Sequence, residues 1–115
     1  MFVLVAHFRI DPASHAGAPI PSDAVEPLEM LAASGRCSRL HFARSADVAG
    51  RFVLVAEFES AAAYRQSLSP WPMRTVFIPW LSTAEVEVSE VSEVLFSAVD
   101  GKVVVAEPTV THPAR

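Results

Sequence analysis

The sequence predicts an α+β fold in which helices lie against an antiparallel sheet. Three observations carry this. Runs rich in β-branched and aromatic residues, with strand alternation, stand at Phe2–Ile10, Cys37–Arg44 and Arg51–Glu59. Segments with helical spacing separate the first run from the second and follow the third. The link Ser45–Gly50 is short, polar and ends in glycine, which fits an antiparallel pair.

The elements follow in order. In the first strand, Phe2, Leu4, Ala6 and Phe8 form one wholly apolar set, while Val3, Val5, His7 and Arg9 turn polar toward the end. Asp11–Pro21 holds Pro12, Gly17, Pro19 and Pro21 and reads as a loop. A helix starts near Ser22 or Asp23, because Asp23 and Glu26 have capping-box spacing. Pro27 fits only a first turn, so the start could fall as late as Glu26. Val25, Leu28, Leu31 and Ala32 mark the expected inner face, and Gly35 a C-terminal cap.

Ser60 is a good N-cap for a second helix carrying Tyr64 and Leu68. Pro70 and Pro72 break it. Met73, Val76, Phe77 and Trp80 then recur at helical spacing, until Pro79 ends or kinks the segment. Valines and glutamates alternate from Glu85 onward, with a phase slip between Val88 and Val91. The slip marks either a bulge or a break before a fourth strand, placed at Val91–Ser97. Asp100-Gly101 signals a hairpin, with Lys102–Ala106 as a fifth strand or an arm that reaches a partner. The order is the β-α-β-β-α-β of a ferredoxin-like unit with an extra C-terminal hairpin strand. The expected domain is 1–107, with 108–115 a frayed tail.

The chain has 115 residues, room for one domain and one core. Charged residues are only 19% and hydrophobic ones 51%, which leans toward oligomerisation. The third strand sharpens that. Phe52, Leu54, Ala56 and Phe58 form one face, Val53, Val55 and Glu57 the other. Helices can cover one face only. The expectation is a homodimer with sheets face to face, a dimeric α/β barrel.

Net charge is −4, and Lys102 is the only lysine, so the basic footprint of a nucleic-acid binder is missing. An acidic membrane surface would repel the chain. The opening apolar run is too short for a signal segment and has no basic flank, and no run approaches a membrane span. A cytoplasmic location is expected. Cys37 is alone and reads as a small buried hydrophobe. His7, His15, His41 and His112 show no metal-ligand spacing, and no cofactor motif is present. His15 and His112 read as solvated, and His41 as structural.

His7 closes a hydrophobic strand. If its face looks at the helices, it can act as a base or orient a substrate oxygen. Otherwise it is a half-exposed histidine hydrogen-bonded near a sheet edge. Tyr64, Trp71, Met73, Phe77 and Trp80 cluster around the helix break. They are either walls of a pocket for a flat apolar ligand or the packing of helix on sheet.

Residues 52–64, Phe-Val-Leu-Val-Ala-Glu-Phe-Glu-Ser-Ala-Ala-Ala-Tyr, and 5–10, Val-Ala-His-Phe-Arg-Ile, resemble the antibiotic-biosynthesis-monooxygenase-like family at its third strand, second helix and first strand. Tyr64–Ser69 and Ile78–Ser82 resemble a bacterial subgroup of it. The resemblance implies a dimeric barrel with one pocket per subunit between sheet and helices. It also implies oxidation of aromatic polyketides by O2 without a cofactor. A second branch of the family degrades haem, using a first-strand Asn, a third-strand Trp and a helical His. Here there is no Asn, the corresponding strand positions hold His7 and Phe58, and Met73–Leu81 has no His. Haem degradation is therefore rejected.

Two functions remain. One is a cofactor-independent monooxygenase-like protein acting on an aromatic or polyketide-like small molecule. Its candidate catalytic residues are His7 and Tyr64, and its walls Phe58, Trp71, Met73, Phe77 and Trp80. The other is a non-catalytic dimeric protein that binds an apolar metabolite or serves assembly only.

Overall fold

A computed structural model describes residues 1–15 and 17–113. Its strands are β1 Phe2–Arg9, β2 Cys37–Arg44, β3 Arg51–Phe58, β4 Glu90–Glu93, β5 Phe96–Val99 and β6 Lys102–Val105. Its helices are α1 Ser22–Ala33, α2 Ala61–Leu68 and the short α3 Ile78–Leu81. The first four strands form one antiparallel sheet in the order β2-β3-β1-β4, and β5 and β6 form a separate hairpin. This is the ferredoxin-like α+β topology.

Strand parity decides where the core sits. Leu4, Ala6 and Phe8 of β1 and Phe52, Leu54, Ala56 and Phe58 of β3 are all buried on the helix side. Ala24, Leu28 and Leu31 of α1 meet them, with Met73, Phe77 and Trp80. Phe8 stacks on Trp80 at 4.6 Å between ring centroids, and Phe42 on Phe52 at 5.3 Å. Full burial of a ring such as Phe77 is worth about 1.5–3 kcal/mol over its exposed state.

Helix α1 departs from expectation in two ways. It starts at Ser22, with no side-chain cap at Pro21, so Asp23 lies inside the first turn rather than capping it. There its carboxylate complements the positive helix end. Pro27 sits in the second turn. Its missing N–H strands only the carbonyl of the exposed Asp23, while its ring is buried. The inner stripe is Ala24, Pro27, Leu28 and Leu31, and Val25 and Ala32 face outward. Gly35 takes a positive φ of 74° and ends the helix as anticipated.

Ser60 caps α2, accepting a hydrogen bond from the Ala63 N–H at 3.0 Å. The amphipathic segment that follows is not a plain α-helix. Met73–Phe77 is wound as a π-turn, and the Ile78 N–H donates to the Met73 carbonyl. Pro79, with no N–H, then enters the first turn of α3.

The expected fourth strand, Val91–Ser97, is two strands. β4 lies beside β1 only as far as Glu93, opposite Phe2, and one further bond joins the Val94 N–H to the Met1 carbonyl. Beyond that point β1 has ended, so Phe96–Val99 pairs with Lys102–Val105 instead. The phase slip is a break: Val86–Val88 form a 3-10 turn. Asp100 and Gly101 both take positive φ, 50° and 79°, as a two-residue hairpin requires. The hairpin leaves Phe96, Val103, Val104 and Val105 exposed. The radius of gyration is 15.3 Å, against roughly 13 Å for a compact chain of this length.

Two residues of the expected tail contact β4. Thr109 donates from its N–H and hydroxyl, and Val110 from its N–H, to the Glu93 carboxylate. His15, expected in solvent, is half-buried and meets Phe52 edge-on at 5.4 Å. Cys37 is half-buried at the core margin, and its thiol donates to the Arg39 carbonyl at 3.2 Å. Burial pushes that thiol up from its ordinary range. No helix of the described residues is long and apolar enough to cross a membrane.

Candidate functional site

The cleft between sheet and helices starts from the small side chain of Ala6. With Leu4 beside it and Val91 on β4, the sheet floor at this edge is low and apolar. Leu81, Ser82 and Ala84 close one wall, at the end of α3, and Tyr64 of α2 supplies the other. Val86, Ser89 and Glu90 stand at the rim. The cleft opens to solvent and has a volume of about 220 Å³.

Tyr64 is placed by the start of α2. The Ser60 cap sets the first turn, and the Tyr64 N–H donates back to the Ser60 carbonyl at 3.1 Å. The buried Ser67 hydroxyl donates to the Tyr64 carbonyl at 2.6 Å. The ring meets Phe58 edge-on at 5.1 Å. Burial pushes the phenol pKa up from its ordinary value, so the hydroxyl is held as a neutral donor. It has no hydrogen-bond partner among the described residues.

His7 is not in this cleft. It pairs with Val53 and shares parity with Val3 and Val5, so it faces away from the helices. Of the two readings of His7, strand parity places it in the half-exposed one near a sheet edge, because Ala6 and Phe8 take the helix side. His7 is half-exposed beside Arg9, Arg51, Glu85 and Val88, in a separate depression of about 270 Å³. Its backbone caps an edge that β4 does not reach. The His7 N–H donates to Ser89 Oγ at 2.9 Å, and its carbonyl accepts from the Glu85 N–H at 2.7 Å.

The expected walls divide. Phe58 and Phe77 have no exposed surface, and Met73 and Trp80 are buried with them. These four fill the core rather than line the cleft. Trp71 is 72% exposed and lies outside it altogether. Of the sequence candidates only Tyr64 faces the open space. The residues that do line it, Leu4, Ala6, Leu81, Ala84 and Val91, carried one signal in the sequence: the small Ala6 amid large neighbours on the apolar set of β1.

A larger cavity of about 580 Å³ lies between the C-terminal ends of α1 and α2, lined by Met30, Ser34, Arg36, Gln66 and Met73 among others. Its only charged side chain among the described residues, Arg36, is exposed, and its lining holds no His, Cys, Tyr or carboxylate side chain. We place the candidate site at Tyr64, where an oriented polar group meets an apolar floor. Among the described residues, no group of three or more His, Cys, Asp or Glu side chains is arranged to hold a metal ion.

No family model and no curated sequence matches the chain. Solved structures do. An antibiotic biosynthesis monooxygenase superposes with a TM-score of 0.60 at 17% identity, over 94% of this chain and 100% of that one. SnoaB, a cofactor-independent oxygenase from Streptomyces nogalater, gives 0.58 at 17% identity, over 94% of each chain. A conserved protein from Methanosarcina mazei gives 0.60 at 13% identity, over 79% of this chain and 87% of its own. At such identities the likeness establishes the fold.

Proposed function

We propose that this protein is a cofactor-independent, monooxygenase-like enzyme that oxidises a small phenolic or polycyclic aromatic molecule in the Tyr64 cleft. One observation carries the reading. A half-buried, neutral phenol with no hydrogen-bond partner among the described residues borders a cleft with an apolar floor, on a fold shared with a cofactor-independent oxygenase.

The chemistry needs little from the protein. A ring CH2 beside a carbonyl loses a proton to give an electron-rich enolate, which reduces O2. One oxygen atom becomes the new ring carbonyl, and the other leaves as water with the two hydrogens. Tyr64 donates to the substrate oxygen as negative charge develops on it. The apolar floor orients the ring and excludes water. The volume of about 220 Å³ lies below the roughly 300–1,000 Å³ of drug-sized sites. It favours one or two rings over four.

The working unit is residues 1–107, with 108–115 as a tail, acting in the cytoplasm as a homodimer whose two sheets close a barrel. His7 then belongs to the dimer face rather than to the chemistry.

The alternative is a non-catalytic dimer that binds an apolar metabolite. It is favoured by a lining that holds no histidine and no cation. Oxygen uptake with phenols of one to three rings separates the two. Uptake by the wild type that falls in Tyr64→Phe supports the enzyme. Ring binding without uptake leaves the alternative, and uptake indifferent to Tyr64 removes this site.

A further inference from the structure

The cavity of about 580 Å³ between the C-terminal ends of α1 and α2 shares no lining residue with the Tyr64 cleft, and the chemistry proposed there does not use it. Met30 and Met73 line it from α1 and from the π-turn, and Pro70 and Pro72 add an apolar wall. No aromatic ring is in the lining. Thioether side chains adapt to a flexible apolar guest, whereas a flat ring is held best by other rings. The volume lies within the roughly 300–1,000 Å³ of small-molecule sites. The Pro70 carbonyl accepts from the Met73 and Arg74 N–H groups, at 3.0 and 3.2 Å, so the proline wall is set before a ligand arrives.

The turn after α1 places the one charge. Gly35 takes its positive φ, and the Arg36 N–H donates to Ser34 Oγ at 3.3 Å. The guanidinium of Arg36 makes no ion pair among the described residues. The side-chain amide of Gln66, also in the lining, has no hydrogen-bond partner among them. The last carbonyls of a helix repel an anion. Several here already accept hydrogen bonds: Leu31 from the Ser34 N–H, Gln66 from the Ser69 N–H and hydroxyl, and Tyr64 from the Ser67 hydroxyl. A positive charge and an amide are what the cavity offers a guest, in a chain of net charge −4.

We propose that this cavity is a second binding site, for a small straight-chain aliphatic carboxylate. Its head pairs with Arg36 and accepts from the Gln66 amide, and its chain lies on Met30 and Met73. Because Arg36 is exposed, the ion pair adds a modest share and the chain supplies the rest.

The test uses the full chain and octanoate as the probe. The three methionines, Met1, Met30 and Met73, make methyl NMR the assay. Octanoate should shift Met30 and Met73, leave Met1 in place, and bind with a dissociation constant of about 1 mM or below. Arg36→Gln should weaken octanoate at least about threefold and leave octanol unchanged. Arg36→Lys should keep part of the affinity, since the charge stays and the planar fork is lost. Neither variant should move the urea midpoint, because the side chain is exposed. Met30 and Met73 resonances unmoved at about 10 mM octanoate overturn the site. Shifts at Leu81 and Val91 in their place put the ligand in the Tyr64 cleft and overturn it too. Octanoate binding indifferent to Arg36→Gln overturns the role of the carboxylate. Octylammonium or benzoate binding more tightly than octanoate overturns the ligand class. Oxygen uptake tests the Tyr64 reading separately, so each can fail alone.

Discussion

Tyr64 meets Phe58 edge to face at 5.1 Å, so the one polar ring of the cleft is braced by a fully buried ring of the central sheet. The contact braces the ring and leaves its hydroxyl without a partner among the described residues.

Tyr64→Phe should therefore change function more than stability. The ring contact survives, and only a hydroxyl without a described partner is lost. Urea midpoints should move by less than about 0.5 kcal/mol equivalent. Oxygen uptake should fall about tenfold or more in kcat/KM, the value of one hydrogen bond made in the transition state. Because burial raises the phenol pKa, wild-type activity should show no loss from Tyr64 ionisation below the ordinary tyrosine range near ~10. Equal losses of stability and activity would mean that the hydroxyl is structural.

Phe77→Ala and Trp71→Ala should differ sharply, although both residues belong to the same aromatic cluster in the sequence. Phe77 has no exposed surface, and its loss should cost about 3–5 kcal/mol. Trp71 is 72% exposed, and its loss should stay within about 0.5 kcal/mol. Chemical denaturation of the two variants measures both. The pair also shows what was legible in the sequence. Helical spacing marked Met73, Phe77 and Trp80 as one stripe, and they are one. It could not tell a stripe that fills the core from one that walls a pocket, because that depends on what stands opposite.

Gly50→Ala should destabilise by well over about 1 kcal/mol. Gly50 has φ of 84°, and an added Cβ would stand 2.6 Å from the Ile10 carbonyl oxygen. The Ile10 N–H also donates to the Gly50 carbonyl at 2.7 Å, so the two backbones cannot separate cheaply. Gly17→Ala is the control for backbone strain alone, since a Cβ added there would meet no atom within 4 Å. Comparable thermal shifts in the two would show that the close approach contributes nothing.

Acid should release the tail. Hydrogen bonds from Thr109 and Val110 hold the Glu93 carboxylate below its ordinary pKa. A lowered pKa means that the contact favours the anion. It is fully present above the ordinary carboxylate range and is lost as pH falls through the lowered value. Amide exchange at Thr109 and Val110 should be slow near neutrality, after correction for intrinsic rates, and lose protection in acid. Glu93→Gln should lose protection at every pH. Protection that persists in the variant would place the anchor elsewhere.

By itself the sequence determined the strands β1, β2 and β3, the helices α1 and α2, the hairpin at Asp100-Gly101 and the apolar character of both sheet faces. Those are local properties: alternation, spacing and turn chemistry act over a few residues. Only the tertiary structure decided that His7 and Tyr64 lie on opposite sides of the sheet. A strand sends successive side chains to opposite faces, so one step of parity moves a residue from site to surface. Which parity faces the helices follows from packing Ala6 and Phe8 under Trp80 and its neighbours. Likewise, β4 stops at Glu93 because β1 begins at Phe2, a limit set by a strand far away in the chain.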